Sequence, residues 1–147
     1  MMLIPEDTEF EPFRIACSQQ RLAVQGCTSC GKLRWPPRPV CGYCYSSETF
    51  WTPVSGGGVL FSWTLVCREY SGQAGLKTPY VVAIAELVED RSIRFLAAGR
   101  GLVEADLRPG LAVDICFQDR GDGVVLPYWA PARDESRATL GAKRADS

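Results

Sequence analysis

The 147-residue chain contains no histidine. That single absence removes the commonest general base at neutral pH, and with it any Ser-His-Asp or Cys-His catalytic arrangement. No apolar run approaches the roughly 20 residues needed to cross a bilayer, so no membrane partner is expected. An excess of one charge is missing as well. Sixteen Lys and Arg stand against seventeen Asp and Glu, with a net charge of −1 and a pI near 5.5, so the chain as a whole lacks the basic footprint of a protein that grips phosphate backbones. The opening residues Met1-Met2-Leu3-Ile4-Pro5-Glu6-Asp7 show neither a basic head nor an apolar stretch of secretory-leader length. A cytoplasmic, reducing location is expected.

Cysteine, by contrast, is plentiful, at seven residues. Four of them form two knuckles, Cys27-Thr28-Ser29-Cys30 and Cys41-Gly42-Tyr43-Cys44, separated by ten residues. This is the ligand pattern of a four-cysteine zinc ribbon. Each knuckle supplies two thiolates from one tight turn, the hairpin between them brings the turns face to face, and Gly31 and Gly42 sit where the backbone must curl past its sulfurs. A thioredoxin-like redox pair at Cys41 and Cys44 would need a surrounding βαβ pattern that the chain does not show. Two disulfides would satisfy the count but not a reducing compartment. With all four ligands cysteine, a closed site leaves no open position for substrate, so the metal is expected to be structural, one zinc per chain.

Candidates for catalysis are correspondingly few. Cys17 lies on an apolar helix face, and Cys67 and Cys116 on strand patterns, where each reads as a small core residue rather than a nucleophile. The Asp and Glu residues are scattered singly through turns, and none pairs as acid and base. No catalytic residue is assigned, and catalysis is expected to belong to a partner.

At 46% hydrophobic residues the chain can bury one core beside a small metal-stapled module. Residues 6–20 place Phe10, Phe13 and Cys17 at helical spacing, with Asp7 or Thr8 as N-cap, Glu11 positioned for a capping box on Thr8, and Pro12 delaying or kinking the start. Arg21 to Gln25 alternates as a short strand, Leu33-Arg34-Trp35 returns, and Pro36, Pro37 and Pro39 hold an extended connection. Phe50 to Val54 is a further short strand or linker. Ser55-Gly56-Gly57-Gly58 is a turn, and the module boundary is placed there. The triple glycine lacks the Lys-Ser/Thr pair and helix of a phosphate loop, and Gly99-Arg100-Gly101 lacks the third glycine of a dinucleotide fingerprint.

From Val59 the pattern changes to period two. Val59, Phe61, Trp63, Leu65 and Cys67 are expected on one core face of a long strand. Strands follow at Tyr80 to Leu87, Ile93 to Ala98, Ala112 to Gln118 and Val124 to Tyr128, with one helical turn at Glu104 to Leu107. Five strands with a helical piece between the third and fourth match an OB-fold, although the pattern alone also admits an SH3-like barrel. The tail from Ala132 to Ser147 has one large aliphatic, Leu140, among charged and small residues, and is expected to be disordered in the free chain or a docking arm. The resulting division is a helical segment at 1–20, a zinc ribbon at 21–54, a barrel at 55–131 and a tail at 132–147.

The run Gln25-x-Cys27-x-x-Cys30-Gly31 through Pro36-Pro37-Arg38 to Cys41-x-x-Cys44, then Trp51 and Ser55-Gly56-x-Gly58-x-Leu60-x-Ser62-Trp63-Thr64, resembles a family long catalogued as a domain of unknown function. The likeness continues through Pro79-Tyr80-Val81-Val82-Ala83, Asp106-Leu107-Arg108-Pro109-Gly110 and Leu126-Pro127-Tyr128-Trp129-Ala130-Pro131, and covers roughly residues 7–131. Gly42 stands where the family usually has proline. The resemblance implies a rubredoxin-like zinc ribbon joined to an OB-fold, in a non-catalytic accessory subunit that docks on a thiolase-fold enzyme and helps bind acyl-CoA. That enzyme would be a thiolase, a lipid-transfer-protein aldolase or a hydroxymethylglutaryl-CoA synthase, in steroid side-chain or other acyl-CoA metabolism. An enoyl-CoA hydratase-like subunit is a further implied partner.

Two copies of this chain are expected in a heteromeric complex, with a homodimer in isolation, and Trp35, Trp51, Tyr43 and Tyr45 crowd a ribbon too small to bury them all. For the CoA phosphates the candidates are Arg34 and Arg38, which bracket Trp35 and the stiff Pro36-Pro37, with Lys32 as a third cation. The alternative from a different class is a nucleic-acid-binding ribbon and OB module, which would stack bases on aromatics in a basic groove. The pI opposes it.

Overall fold

The computed structural model of the chain describes residues 8–69 and 76–133. Asp7, and the tail from residue 134 onward, lie outside the described residues. The chain enters through a single 3₁₀ turn, Thr8–Phe10, and then helix α1, Glu11–Ser18. Phe13 and Cys17, one helical turn apart, are fully buried, as the spacing predicts. The capping box on Thr8 is not formed: the N-cap is Phe10, and no side chain caps the helix. Pro12 explains this, since a proline in the first turn starts the helix at Glu11 and leaves Thr8 in a separate turn. The helix closes with a Schellman pair, Arg21 N–H to Ala16 O at 2.9 Å and Gln20 N–H to Cys17 O at 2.9 Å, around Gln20 at φ 56°.

Strand β1, Leu22–Cys27, is buried along its whole length. It is the centre of an antiparallel sheet, flanked by β2, Leu33–Arg34, and β3, Thr49–Val54. The turn after β3 is shorter than the glycine run suggests, because Gly57 and Gly58 already belong to β4, Gly57–Val66. Strands β5, Tyr80–Leu87, β6, Arg94–Ala98, β7, Ala112–Asp119, and β8, Val125–Pro131, complete a second antiparallel sheet ordered β6-β5-β4-β7-β8. Its ends meet where Gly99 bridges Trp129 in parallel, with Arg100 N–H donating to Trp129 O at 2.7 Å. A 3₁₀ turn at Glu104–Asp106 separates β6 from β7. This is the strand order of an OB-fold, nearly closed into a barrel.

Along β4 the expected alternation breaks. Leu60 faces Ala85 and Ser62 faces Ile84, so the register slips by one residue and Phe61 is the extra, bulged residue. The core face therefore runs Leu60, Trp63, Leu65. Val59 is buried, as its place in the pattern suggests, whereas Phe61 is 43% exposed with the Arg94 guanidinium 3.9 Å from its ring centroid, and Cys67 lies exposed just beyond the strand. Trp63 and Leu65 do pack on the core. Cys67 is thus not the small core residue its position in the pattern suggested.

One core joins the two sheets and the helix. Phe13, Trp35, Phe95 and Trp129 form a connected aromatic column, with centroids 4.6 Å apart for Phe13–Trp35, 5.0 Å for Trp35–Phe95 and 6.1 Å for Phe95–Trp129. Trp129 is fully buried, and its indole N–H donates to Phe95 O at 3.1 Å. Its ring lies against Gly58, where an added Cβ would sit 2.6 Å from Cη2 and 3.2 Å from the Ala85 Cβ. Neither obstacle is a flexible side-chain end. Gly58→Ala should therefore destabilise the fold by about 1–3 kcal/mol, read as a lower urea midpoint with an unchanged slope. An unaltered midpoint would show that the barrel can shift to admit the methyl group.

Candidate metal centre and the surface around it

The two knuckles are near copies of one another. In the first, Gly31 N–H donates to Cys27 O at 2.8 Å and Cys27 N–H to Lys32 O at 3.0 Å; in the second, Tyr45 N–H donates to Cys41 O at 3.0 Å and Cys41 N–H to Ser46 O at 2.9 Å. The residue after each second cysteine is left-handed, Gly31 at φ 74° and Tyr45 at φ 61°. The four Sγ atoms all lie within 4.8 Å of one another, with Cys27–Cys44 at 3.5 Å and Cys30–Cys41 at 3.7 Å. A disulfide needs about 2.05 Å, whereas four thiolates about 2.3 Å from a tetrahedral zinc stand roughly 3.8 Å apart. The cluster has the second geometry.

The proton chemistry of the donors points the same way. Backbone N–H groups of Cys44 and Tyr43 hold the Cys41 thiol down to about 6. Those of Cys30 and Ser29, with the Cys44 and Cys30 side chains, lower Cys27 against its desolvation. The Ser46 N–H favours the Cys44 thiolate, but the neighbouring cysteine sulfurs and desolvation together push that group up to about 11. Four thiolates cannot crowd together without a cation, and a divalent soft metal removes the conflict. The donor set fits zinc. Gly42 has open space, its nearest neighbour being Arg38 Nη1 at 3.9 Å from an added Cβ, so glycine at this position displaces no ligand.

Behind the knuckles, Gln25 is 2% exposed. Its Oε1 accepts from Arg34 Nε at 2.6 Å and from the Arg38 N–H at 2.8 Å, while Arg34 Nη2 donates to Arg38 O at 3.0 Å. Arg34 is itself buried, with Nη1 lacking a hydrogen-bond partner among the described residues. Arg34, Trp35 and Arg38 line a cavity of about 260 Å³ together with Pro36, Tyr43 and Ser92. Lys32 stays outside, its Nζ 3.8 Å from the Tyr43 ring centroid. The four candidate CoA residues therefore gather at one place in different states: Arg34 braced inside, Trp35 half-buried against Phe10, Phe13 and Phe95, and Arg38 and Lys32 outward.

The crowded aromatics also divide. Trp35 and Trp51 pack on the core, whereas Tyr43 and Tyr45 are 64% and 81% exposed. Composition did not separate the two pairs. The left-handed Tyr45 was visible in principle, since it occupies the place of Gly31 in the repeated knuckle. The remaining cysteines lie apart: Cys17 is buried, its thiol pushed up to about 12 by desolvation, and Cys116 is half-buried with its thiol also raised, chiefly by desolvation.

Comparison with known proteins matches residues 16–49 to the ChsH2 rubredoxin-like zinc ribbon domain and residues 51–118 to the ChsH2 C-terminal OB-fold domain. The chain is 34% identical over 101 residues to the benzoylsuccinyl-CoA thiolase subunit BbsA of Thauera aromatica, covering 68% of this chain and 67% of that protein. It is 29% identical over 117 residues to a probable enoyl-CoA hydratase alpha subunit of Thermomonospora curvata, of which it spans only 35%. Among solved structures, a chain of the Ltp2-ChsH2(DUF35) aldolase superposes with a TM-score of 0.78 at 26% identity, over 86% of this chain and 98% of that one.

Chain purified without chelator should carry about one equivalent of zinc. Protons compete with metal for the thiolates, so affinity falls with pH, and acidification from about pH 7 to about pH 5 should release the ion. Cys30→Ser should lose zinc and aggregate or unfold the ribbon, because metal-binding energy here is folding energy. Mass spectrometry finding an intact, metal-free fold would contradict this.

Proposed function

Because the chain belongs to the ChsH2 family of rubredoxin-like zinc-ribbon and OB-fold proteins, we propose that it is a non-catalytic accessory subunit that docks on a thiolase-fold enzyme and helps bind acyl-CoA. The likeness to BbsA, a subunit of a thiolase, over two thirds of both chains carries this reading. The match to a chain of a solved aldolase along nearly its whole length supports it. The composition agrees, since a chain without histidine has no ready acid–base catalyst, and its buried Cys17 holds its proton too tightly to serve as a nucleophile.

In this role Cys27, Cys30, Cys41 and Cys44 hold one structural zinc that rigidifies the ribbon. An acyl-CoA shared with the partner presents a pantetheine thread and a phosphorylated nucleotide, and the cavity beside Trp35, Pro36 and Tyr43 sets apolar side chains next to the Arg38 guanidinium. Arg38 and Lys32 are the groups free to meet phosphate. Arg34 acts through them, because its bonds to Gln25 and to the Arg38 carbonyl orient the segment that presents Arg38. Two copies of this chain per dimeric partner complete the assembly, and the likeness to part of a hydratase alpha subunit supports a hydratase-like subunit in some of these complexes.

Tagged chain recovered from its native lysate should retain a thiolase-fold subunit, identified by mass spectrometry, and the isolated chain should show no turnover of acyl-CoA. A lone protein with turnover of its own would overturn the assignment. Within the complex, Arg38→Ala should raise the KM for acyl-CoA about tenfold, with kcat and zinc content unchanged. An unchanged KM would move the phosphate contact to the partner. Arg34→Ala is a poorer probe, since it also strips the buried Gln25 of a donor.

A further inference from the structure

The two knuckles solve one backbone problem with different residues, and the difference is informative. Gly31 takes the left-handed position in the first, where a residue without a Cβ is at ease. Tyr45 takes it in the second, where a bulky side chain is disfavoured. Among the described residues no packing offsets that cost, because the Tyr45 ring is 81% exposed. Tyr43 beside it is 64% exposed, and Val40, on the same knuckle, 45%. The knuckle needs the left-handed backbone at this position but not a tyrosine to supply it, so the ring points to a use beyond the knuckle.

We propose that Val40, Tyr43 and Tyr45 are the anchor by which this chain seats on its thiolase-fold partner, and that the strained Tyr45 is retained for that contact. This rests on the accessory-subunit reading and adds the place of docking to it. Together the three side chains offer roughly 400 Å² of largely apolar surface, the scale at which patches on single chains mark contacts. Two such patches facing each other would bury only about 800 Å², short of the ~1,200 Å² at the lower bound of stable interfaces. A second copy of the chain is therefore a poor occupant. A larger subunit that wraps the knuckle supplies the missing area, with tyrosines as central anchors.

Charge says what that subunit must present. Lys32 lies over the Tyr43 ring, Arg38 is exposed nearby, and Glu48 is the sole carboxylate between residues 21 and 50. The receiving surface is an apolar hollow without basic groups, and it leaves Arg38 and Lys32 open to the phosphates of the shared acyl-CoA.

The test uses the full zinc-loaded chain and the thiolase-fold subunit purified from the wild-type complex. Tyr45→Gly relieves the strain, partly offset by the greater freedom glycine gives the unfolded chain, and should raise the melting temperature of the free protein by about 2–5 °C. The same change should weaken binding to the partner at least tenfold. Tyr45→Asn, which tolerates the left-handed position and removes the ring, should weaken binding likewise with zinc retained, and Tyr43→Ala should do so as well. A lower melting temperature and lost zinc in both Tyr45 variants would make the ring structural and overturn the proposal. So would an affinity within twofold of wild type. A wild-type chain that dimerises through Tyr45 in sedimentation would replace the partner with a second copy. Wild-type chain that binds no thiolase-fold subunit would overturn the accessory-subunit reading and this proposal together, whereas normal binding by Tyr45→Gly would remove this proposal alone.

Discussion

The contact on which the rest of the fold leans is the packing of Trp35 between the helix and the barrel. The ribbon is three strands, two of them flanking a buried one, too small to hold a core of its own, and its connection to the barrel is only Ser55-Gly56. The Trp35 ring touches Phe10 and Phe13 on one side and Phe95 on the other, and Phe95 meets the fully buried Trp129 that closes the barrel. Each such pair contributes about 0.5–1.5 kcal/mol beyond its buried area. Ribbon, helix and barrel thus share one interior.

That arrangement leaves the polar interior of the ribbon with a demanding task. A buried amide that misses its hydrogen bonds costs about 1–3 kcal/mol, and Gln25 avoids this by accepting two bonds on one oxygen, from Arg34 and from the Arg38 backbone. The consequence reaches the surface. The stiff proline segment that follows β2 is held at Arg38, so the outward cations and the second knuckle sit at set positions relative to the sulfur cluster. Metal and amide brace opposite ends of the same hairpin.

With its interior occupied in this way, the ribbon divides its aromatic residues by task. Tryptophans fill the shared core and tyrosines stay in solvent beside the cations. The tyrosines and the cations form one surface, held in place by the interior beneath them. The barrel adds a second such surface feature, the outward Phe61 under the Arg94 guanidinium, which exists only because β4 carries a bulge.

The cysteine spacing, the glycine and proline punctuation and the period-two runs determined by themselves the four-sulfur cluster, the five-strand order with its helical piece, and the approximate bounds of each strand. These are local properties: ligand spacing within a turn, backbone preference, and alternation across a pleat all act within a few residues. The tertiary structure decided what depends on partners far along the chain. The slip at Phe61 exists only opposite β5, and it puts Phe61 in solvent where the alternation expected core, because one residue of register moves a side chain across the sheet. The place of Cys67 followed from where β4 ends. The burial of Arg34, 9% exposed, depends on Gln25 nine residues away, and the split between tryptophans and tyrosines on a barrel about 60 residues downstream. A residue type states what a side chain can do, and long-range packing chooses which of those capacities it meets.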